Sequence, residues 1–314
     1  MDNIAIIGAG TMGHSLALVF AQGGYKVALN DVSEEVLERA KSHITTDLEA
    51  LAEVGLLNPA ERSKILNERL TLTTDLASAV AKADFVIEAV VEVAEVKKKL
   101  FTDLDLLSPP EAILASNTSY LDIFKFVETK RPGKVIITHW FAPPHIVPLV
   151  EIVPGPETSP ETVSMVKEVI DGLGKETIVL KEFLPGFIGN RLQSALSLEA
   201  FYLIDNGFAT AEDIDKATKA GFGLRIPLLG LMQRQDFTGL DLMQRILKNK
   251  QYHPPEVRGR SDALDELVSK GKLGVKTGRG FYDYGGRSTE DISKERDLKL
   301  LKLKKFLREL GDLG

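Results

Sequence analysis

The stretch Ile4-Ala5-Ile6-Ile7-Gly8-Ala9-Gly10-Thr11-Met12-Gly13 decides how the chain folds. Four apolar residues in a row make a short buried strand, and the GxGxxG pattern that follows turns the chain at once into a helix over residues 15–21. The first glycine allows the tight turn, the second lets a pyrophosphate approach the backbone, and the third lets helix and strand pack closely, so phosphates rest on the helix N-terminus. A second strand, residues 26–31, ends in Asp31, the acid that such a site uses for a ribose 2′-hydroxyl. A carboxylate there repels a 2′-phosphate and no arginine follows at once. The expected cofactor is therefore NAD rather than NADP, with Gly8, Gly10, Thr11, Met12, Gly13 and Asp31 in its site.

Working outward from this unit, residues 33–68 read as helix with a break near 55–59, longer than a single crossover helix needs to be, so a helical excursion follows the second strand. Further strands are expected at 70–73, 85–89, 112–116, 135–139, 149–153 and 177–180, with helices around 92–106 and 161–173. Strands alternating with helices make an α/β fold, a mostly parallel, doubly wound Rossmann-type sheet with its ligand site at the carboxyl ends of the strands. Ala115-Ser116-Asn117-Thr118-Ser119 sits at such an end, where hydroxyls and amides commonly serve as caps or turn formers. From residue 184 the strand signal disappears. Helices are expected at 187–205, 211–220, 228–248 and 260–270, and the tail, 290–313, reads as one amphipathic helix with Leu298, Leu301, Phe306 and Leu310 on its apolar side. This divides the chain into an NAD-binding domain, 1–183, and an all-α domain, 184–314.

The composition is that of a folded protein: 314 residues, 44% hydrophobic and 27% charged, enough for two packed domains. A net charge of -6 gives no reason to expect nucleic acid or an anionic membrane as partner. There are no cysteines, which excludes disulfides, thiolate metal sites and cysteine nucleophiles. No apolar run approaches the roughly 20 residues of a membrane span. The first residues lead straight into a strand without a basic leader, so a cytoplasmic location is expected.

The chemistry is concentrated in Ile137-Thr138-His139-Trp140-Phe141-Ala142-Pro143-Pro144-His145-Ile146-Val147-Pro148-Leu149-Val150-Glu151-Ile152-Val153. One apolar run ends in a histidine, a Pro-Pro corner turns the chain, and a second apolar run carries a single glutamate. Burying Glu151 without a partner is costly, and the nearest titratable groups in sequence are His139 and His145. A carboxylate that holds one imidazole nitrogen fixes the tautomer and leaves the other nitrogen free to take a proton, which is a general-base arrangement. Asn190, in the otherwise apolar face of the first helix of the second domain, is either a satisfied buried amide or a substrate contact.

Seven motifs in order carry a family resemblance that covers nearly the whole chain. They are the glycine turn with Asp31, Glu88-Ala89-Val90-Val91-Glu92 leading to Lys97, Ser116-Asn117-Thr118-Ser119, the corner from His139 to Pro144, Leu149-Val150-Glu151, Pro185-Gly186-Phe187-Ile188 with Asn190-Arg191, and Gly274-Val275-Lys276-Thr277-Gly278-Arg279-Gly280-Phe281-Tyr282. Together they resemble the 3-hydroxyacyl-CoA dehydrogenase superfamily. The resemblance implies NAD as cofactor, His139 as catalytic base and Glu151 as its orienting carboxylate. It further implies that Ser119 and Asn190 hydrogen-bond the substrate oxygen and that Ala89, Glu92, Lys97 and Asn117 line the NAD site. The helical domain would form a homodimer and close the substrate cleft. One departure lies near the chemistry: the family usually has Asn before the prolines, where this chain has Ala142.

The superfamily contains enzymes for acyl-CoA thioesters and a branch for free 3-hydroxy acids that includes L-gulonate 3-dehydrogenase and carnitine dehydrogenase. The largely acidic and apolar excursion, Phe222-Gly223-Leu224-Arg225 and the lysine-rich tail are similar to the free-acid branch, whereas Asp236-Phe237-Thr238-Gly239-Leu240-Asp241 and the Gly274 to Tyr282 motif are at home in the CoA branch. The balance favours the free acid, with Arg225 as the cation for its carboxylate, because a guanidinium fork matches a carboxylate and a thioester offers it no charge. The same scaffold also serves as a lens structural protein, lambda-crystallin. The intact His139 and Glu151 speak for an enzyme.

Overall fold

The computed structural model describes residues 1–250 and 252–313. Its first half alternates as the sequence pattern requires: β1 (Asn3–Ile7), α1 (Gly13–Gln22), β2 (Lys26–Asn30), then the excursion α2 (Glu34–Glu53) and α3 (Pro59–Lys64), and β3 (Leu70–Thr73). A short α4 (Leu76–Val80), missed by periodicity because it is a single turn capped by Asp75, leads to β4 (Phe85–Glu88). There follow α5 (Ala94–Leu107), β5 (Ile113–Ser116), β6 (Val135–Trp140), β7 (Leu149–Pro154), α6 (Pro160–Gly172) and β8 (Glu176–Val179). The eight strands form one sheet in the order β3-β2-β1-β4-β5-β6-β7-β8. Every neighbouring pair is parallel except β6 with β7, which the Pro-Pro corner joins as an antiparallel pair.

Strand order reverses between β1 and β4, so the crevice for a ligand opens at the carboxyl ends of these strands. Alternate residues of β1 face opposite layers: Ile4 and Ile6 join the core beneath α1 and α2, while Ala5 and Ile7 join the one formed with Val80, Phe101 and Leu104 of α4 and α5. Both faces of the sheet are therefore covered, and the carboxyl edge is left for chemistry.

The chain divides into two compact units, residues 1–190 with 297–304, and residues 191–296 with 305–313. The second contains most of α7 (Gly189–Asp205), then α8 (Ala211–Ala220), α9 (Phe222–Thr238), α10 (Leu240–Asn249) and α11 (Asp262–Ser269), and α12 (Thr289–Leu310) runs through both units. Three expectations are corrected. Residues 228–248 are not one helix, because Gly239, at a φ of 97°, separates α9 from α10, and α9 is itself kinked at Gly230. The helix expected from residue 187 starts at Gly189, since Phe187 lies outside it with a φ of 49°. In α12, Leu301 is fully buried and Leu298 packs beside it, but Phe306 and Leu310 are exposed. At about 100° per residue, those two lie about 80° and 120° round the helix from Leu298. Among the described residues no helix is long and apolar enough to cross a membrane.

Leu301 therefore fastens the end of the chain to the core of the nucleotide-binding unit. Leu301→Ala in the full chain is expected to lower stability by about 2 to 5 kcal/mol in urea unfolding. A loss below about 1 kcal/mol would mean that α12 does not dock as described.

Candidate active site

The antiparallel register of β6 and β7 sets His139 directly opposite Glu151. Both are buried, and Glu151 Oε2 lies 2.9 Å from His139 Nδ1. The other carboxylate oxygen accepts the backbone N–H groups of Ile188 and Gly189, at 2.8 and 3.0 Å, at the start of α7. One side chain thus fills three donors, and the positive end of a helix offsets part of the cost of burying its charge. Because Glu151 can only accept, Nδ1 carries the proton and Nε2 the lone pair. Around Nε2 stand Ser119 Oγ at 3.3 Å and Asn190 Nδ2 at 3.4 Å. The rings of Phe141 and Phe187, with centroids 4.6 and 5.1 Å away, hold the imidazole from its sides. Phe141 in turn needs Gly189, since a Cβ there would come within 2.4 Å of its ring. His145, the alternative partner for Glu151, lies on the corner, where Ser15 Oγ of α1 is 2.8 Å from its Nδ1 and accepts its backbone N–H.

The glycine turn has the shape that a pyrophosphate requires. A Cβ on Gly13 would sit 1.7 Å from the carbonyl oxygen of Gly8, and one on Gly8, at a φ of 97°, would sit 2.7 Å from that of Ala89. A Cβ on Gly10 would meet nothing within 4 Å, and it would occupy the open space that a phosphate needs. Thr11 is exposed and Met12 half-buried at the mouth of α1. No side chain caps that helix and its first turn holds no acid, so its amides remain available to an anion. Asp31 Oδ2 accepts the N–H of Ala9 at 2.9 Å, which ties the end of β2 to the turn. These residues fit NAD.

Between the two halves lies the loop after β5. Ser116 is the register partner of Glu88 at the ends of β5 and β4, and its hydroxyl donates to the Glu88 carboxylate. Lys97, 1% exposed, reaches both oxygens of Glu88 at 2.7 and 2.8 Å and Glu92 Oε2 at 3.3 Å. Glu92 Oε1 accepts the Thr118 hydroxyl at 2.5 Å and the N–H groups of Ser119 and Tyr120 at 2.9 and 3.1 Å. Burial works to raise the pKa of Glu92, but the hydrogen bonds from Thr118, Tyr120 and Ser119 and the charge of Lys97 outweigh it and hold the carboxyl below its ordinary range. Asn117 Oδ1 accepts the N–H of Trp140 at 2.9 Å, and half-buried Ala89 donates its N–H to Ile7 at 2.7 Å. Sequence reasoning assigned no role to Glu88, although a lone acid ending the apolar run Phe85-Val86-Ile87 is the same signal that marked Glu151.

Arg225 belongs to the helical unit. It lies in the first turns of α9, where a loop between helices was expected, and its side chain is exposed.

Comparison with known proteins agrees with this layout. Residues 3–183 match the family model for the 3-hydroxyacyl-CoA dehydrogenase NAD binding domain, and residues 186–284 that for the 3-hydroxyacyl-CoA dehydrogenase C-terminal domain. The chain is 33% identical over 309 residues to 5-formyl-3-hydroxy-2-methylpyridine 4-carboxylate 5-dehydrogenase of Mesorhizobium japonicum, covering 97% of this chain and 98% of the relative. It is 35% identical over 294 residues to 3-hydroxybutyryl-CoA dehydrogenase of Mycobacterium tuberculosis, covering 90% of this chain and 99% of that one. A crystal structure of 5-formyl-3-hydroxy-2-methylpyridine 4-carboxylic acid 5-dehydrogenase, an NAD+ dependent dismutase, superposes with a TM-score of 0.86 at 31% identity, over 98% of this chain and 99% of its own. With a Rossmann unit, an NAD-binding turn and a helical second unit, the chain belongs to the 3-hydroxyacyl-CoA dehydrogenase superfamily and is an NAD-dependent oxidoreductase acting on CH–OH donors.

Proposed function

We propose that this enzyme oxidises the secondary alcohol of a free 3-hydroxy acid to the 3-oxo compound. The reading is carried by His139, which is held through Nδ1 by Glu151 while Nε2 faces Ser119 and Asn190. Bound NAD supplies a hydride acceptor. The chain's own residues handle the proton: His139 Nε2 takes it from the substrate hydroxyl, and Glu151 stabilises the imidazolium that results. Ser119 Oγ and Asn190 Nδ2 converge where that oxygen would lie and donate to the charge that develops on it. In the opposite direction the same imidazolium returns the proton. Glu92, Lys97, Asn117 and Ala89 would border the cofactor side, where their polar groups also brace the serine loop.

Two observations favour a free carboxylate over a thioester. The Mesorhizobium relative, aligned over nearly all of both chains, is named for a carboxylate substrate. Arg225 is exposed and makes no ion pair among the described residues, so its guanidinium fork is available for a carboxylate. The mycobacterial relative, named for 3-hydroxybutyryl-CoA, keeps the thioester as the competing reading. The helical unit supports a homodimer, because α7 to α11 contain no buried residue and Leu224, Met232, Phe237 and Leu247 are exposed.

NADH formation over a panel of 3-hydroxy acids and 3-hydroxyacyl-CoAs tests the reading. His139→Ala is expected to slow oxidation by roughly 100-fold or more with calorimetric NAD affinity nearly intact, and Glu151→Gln is expected to be slow as well. Near-normal turnover in His139→Ala would move the role of base elsewhere, with His145 the first candidate. Arg225→Ala should cost about 2 to 4 kcal/mol in kcat/KM for the free acid, and Arg225→Lys should recover only part of it. Activity on an acyl-CoA that exceeds every free acid and survives Arg225→Ala would establish the thioester reading instead. Sedimentation velocity should show a dimer at micromolar concentration, and a monomer there would remove the homodimer.

A further inference from the structure

Ser119 sits in a loop with no regular structure of its own, yet to act on the same oxygen as the imidazole its hydroxyl must keep its place relative to the ring with a tolerance of about 0.5 Å. Most of its support comes from one side chain. Glu92 Oε1 gathers the Thr118 hydroxyl and the N–H groups of Ser119 and Tyr120, which are three consecutive residues. Glu92 Oε2 is fixed by Lys97 at 3.3 Å, and Lys97 is itself fixed to Glu88, a fully buried residue of the central strand β4. The loop is thereby tied to the sheet through a carboxylate, an ammonium and a second carboxylate. On the other flank, the Ser116 hydroxyl joins Glu88 to the N–H of Thr118. The side chain of Glu92 is 39% exposed, so a carboxylate that could turn to water instead spends one oxygen on this loop.

We propose that Glu92 is a positioning residue for Ser119: through its three hydrogen bonds it sets where the serine hydroxyl stands against His139, and it acts on turnover more than on cofactor affinity. A residue that mainly held NAD would have its oxygens directed at the ligand space, whereas here both are engaged by the protein. The charge matters as well as the shape, since Lys97 would otherwise balance Glu88 alone and leave Glu92 without its anchor. This inference rests on the reading of Ser119 as a group that touches the substrate oxygen.

The test uses the full-length enzyme, with 3-hydroxybutyrate and 3-hydroxybutyryl-CoA as probes; whichever reduces NAD faster is carried through, so the result does not depend on the substrate branch. Glu92→Ala is expected to lower kcat about 10- to 100-fold, with NAD affinity by calorimetry changed less than about threefold. Glu92→Gln, which still accepts hydrogen bonds but loses its attraction to Lys97, should fall between wild type and Glu92→Ala. In the Ser119→Ala background, Glu92→Ala should slow the enzyme by no more than a further threefold or so, because the group it positions is gone. Amide hydrogen exchange at Ser119 and Tyr120, which needs no substrate, should quicken in Glu92→Ala. Additive losses in the double variant, or an NAD affinity about tenfold weaker with kcat retained at saturating cofactor, would overturn the inference while leaving the catalytic reading in place. Full kcat in Ser119→Ala would remove both.

Discussion

Glu151 accepts three hydrogen bonds in a place that water does not reach: one from the Nδ1 of His139 and two from the backbone at the start of α7. A buried carboxylate is tolerated only when such donors surround it, and satisfying them fixes three things together. The imidazole is held in one tautomer and one orientation. The chain is held at the point where it leaves the nucleotide-binding unit for α7. Asn190, one residue beyond the second amide donor, is brought to within 3.4 Å of the free ring nitrogen. Without the glutamate, the imidazole, the helix start and Asn190 would each need separate support.

The opposite side of the imidazole follows the same logic at one remove. Glu88 ends β4 as Glu151 sits in β7, buried and saturated, and its partners Lys97 and Ser116 lead outward to the serine loop. The glycine turn lies one strand away, with Gly8 pressed against the carbonyl of Ala89, so the cofactor turn and the serine loop share the carboxyl edge of β4. This edge is where the strand order reverses and where a ligand can enter without breaking the sheet. Ser119 and Asn190 therefore stand on different supports, the first on the central strands and the second on the start of α7, and both converge on a histidine fixed from a third direction.

The nucleotide-binding half was legible because its signals are local: a short apolar run, a glycine turn, an acid at the end of the next strand. Pairing across the sheet was not local. Two apolar runs around a corner announced that Glu151 needs a partner; the residues alone offered both His139 and His145, the family resemblance implied His139, and the register of β6 and β7 sets His139 opposite the carboxylate and leaves His145 on the corner, facing Ser15. Glu88 was overlooked because its partners are not its neighbours in sequence: Lys97 lies nine residues on, within α5, and Ser116 on the adjacent strand β5, and only the fold brings them to its carboxylate. Arg225 was placed in a loop because glycines surround it. A glycine costs a helix only about 1 kcal/mol, and here the helix runs through Gly223 and Arg225 without a break. The tail was read as one amphipathic helix with Phe306 and Leu310 on its apolar side, but the side that meets the core runs through Leu298 and Leu301, and Phe306 and Leu310 lie round the helix from it, exposed.

The chemistry of the site turns on the state of one ring, and nitrogen-15 NMR of the imidazoles reads it directly. The chain has five histidines, so the signals of His139 are assigned by their loss in His139→Gln. Above the pH at which the ring is protonated, His139 is expected to show the Nδ1–H tautomer almost alone, with an unprotonated Nε2, and Glu151→Gln should weaken that preference. A ring that carries its proton on Nε2, or that populates both tautomers equally in the wild-type enzyme, would contradict the claim that Glu151 presents His139 as the base.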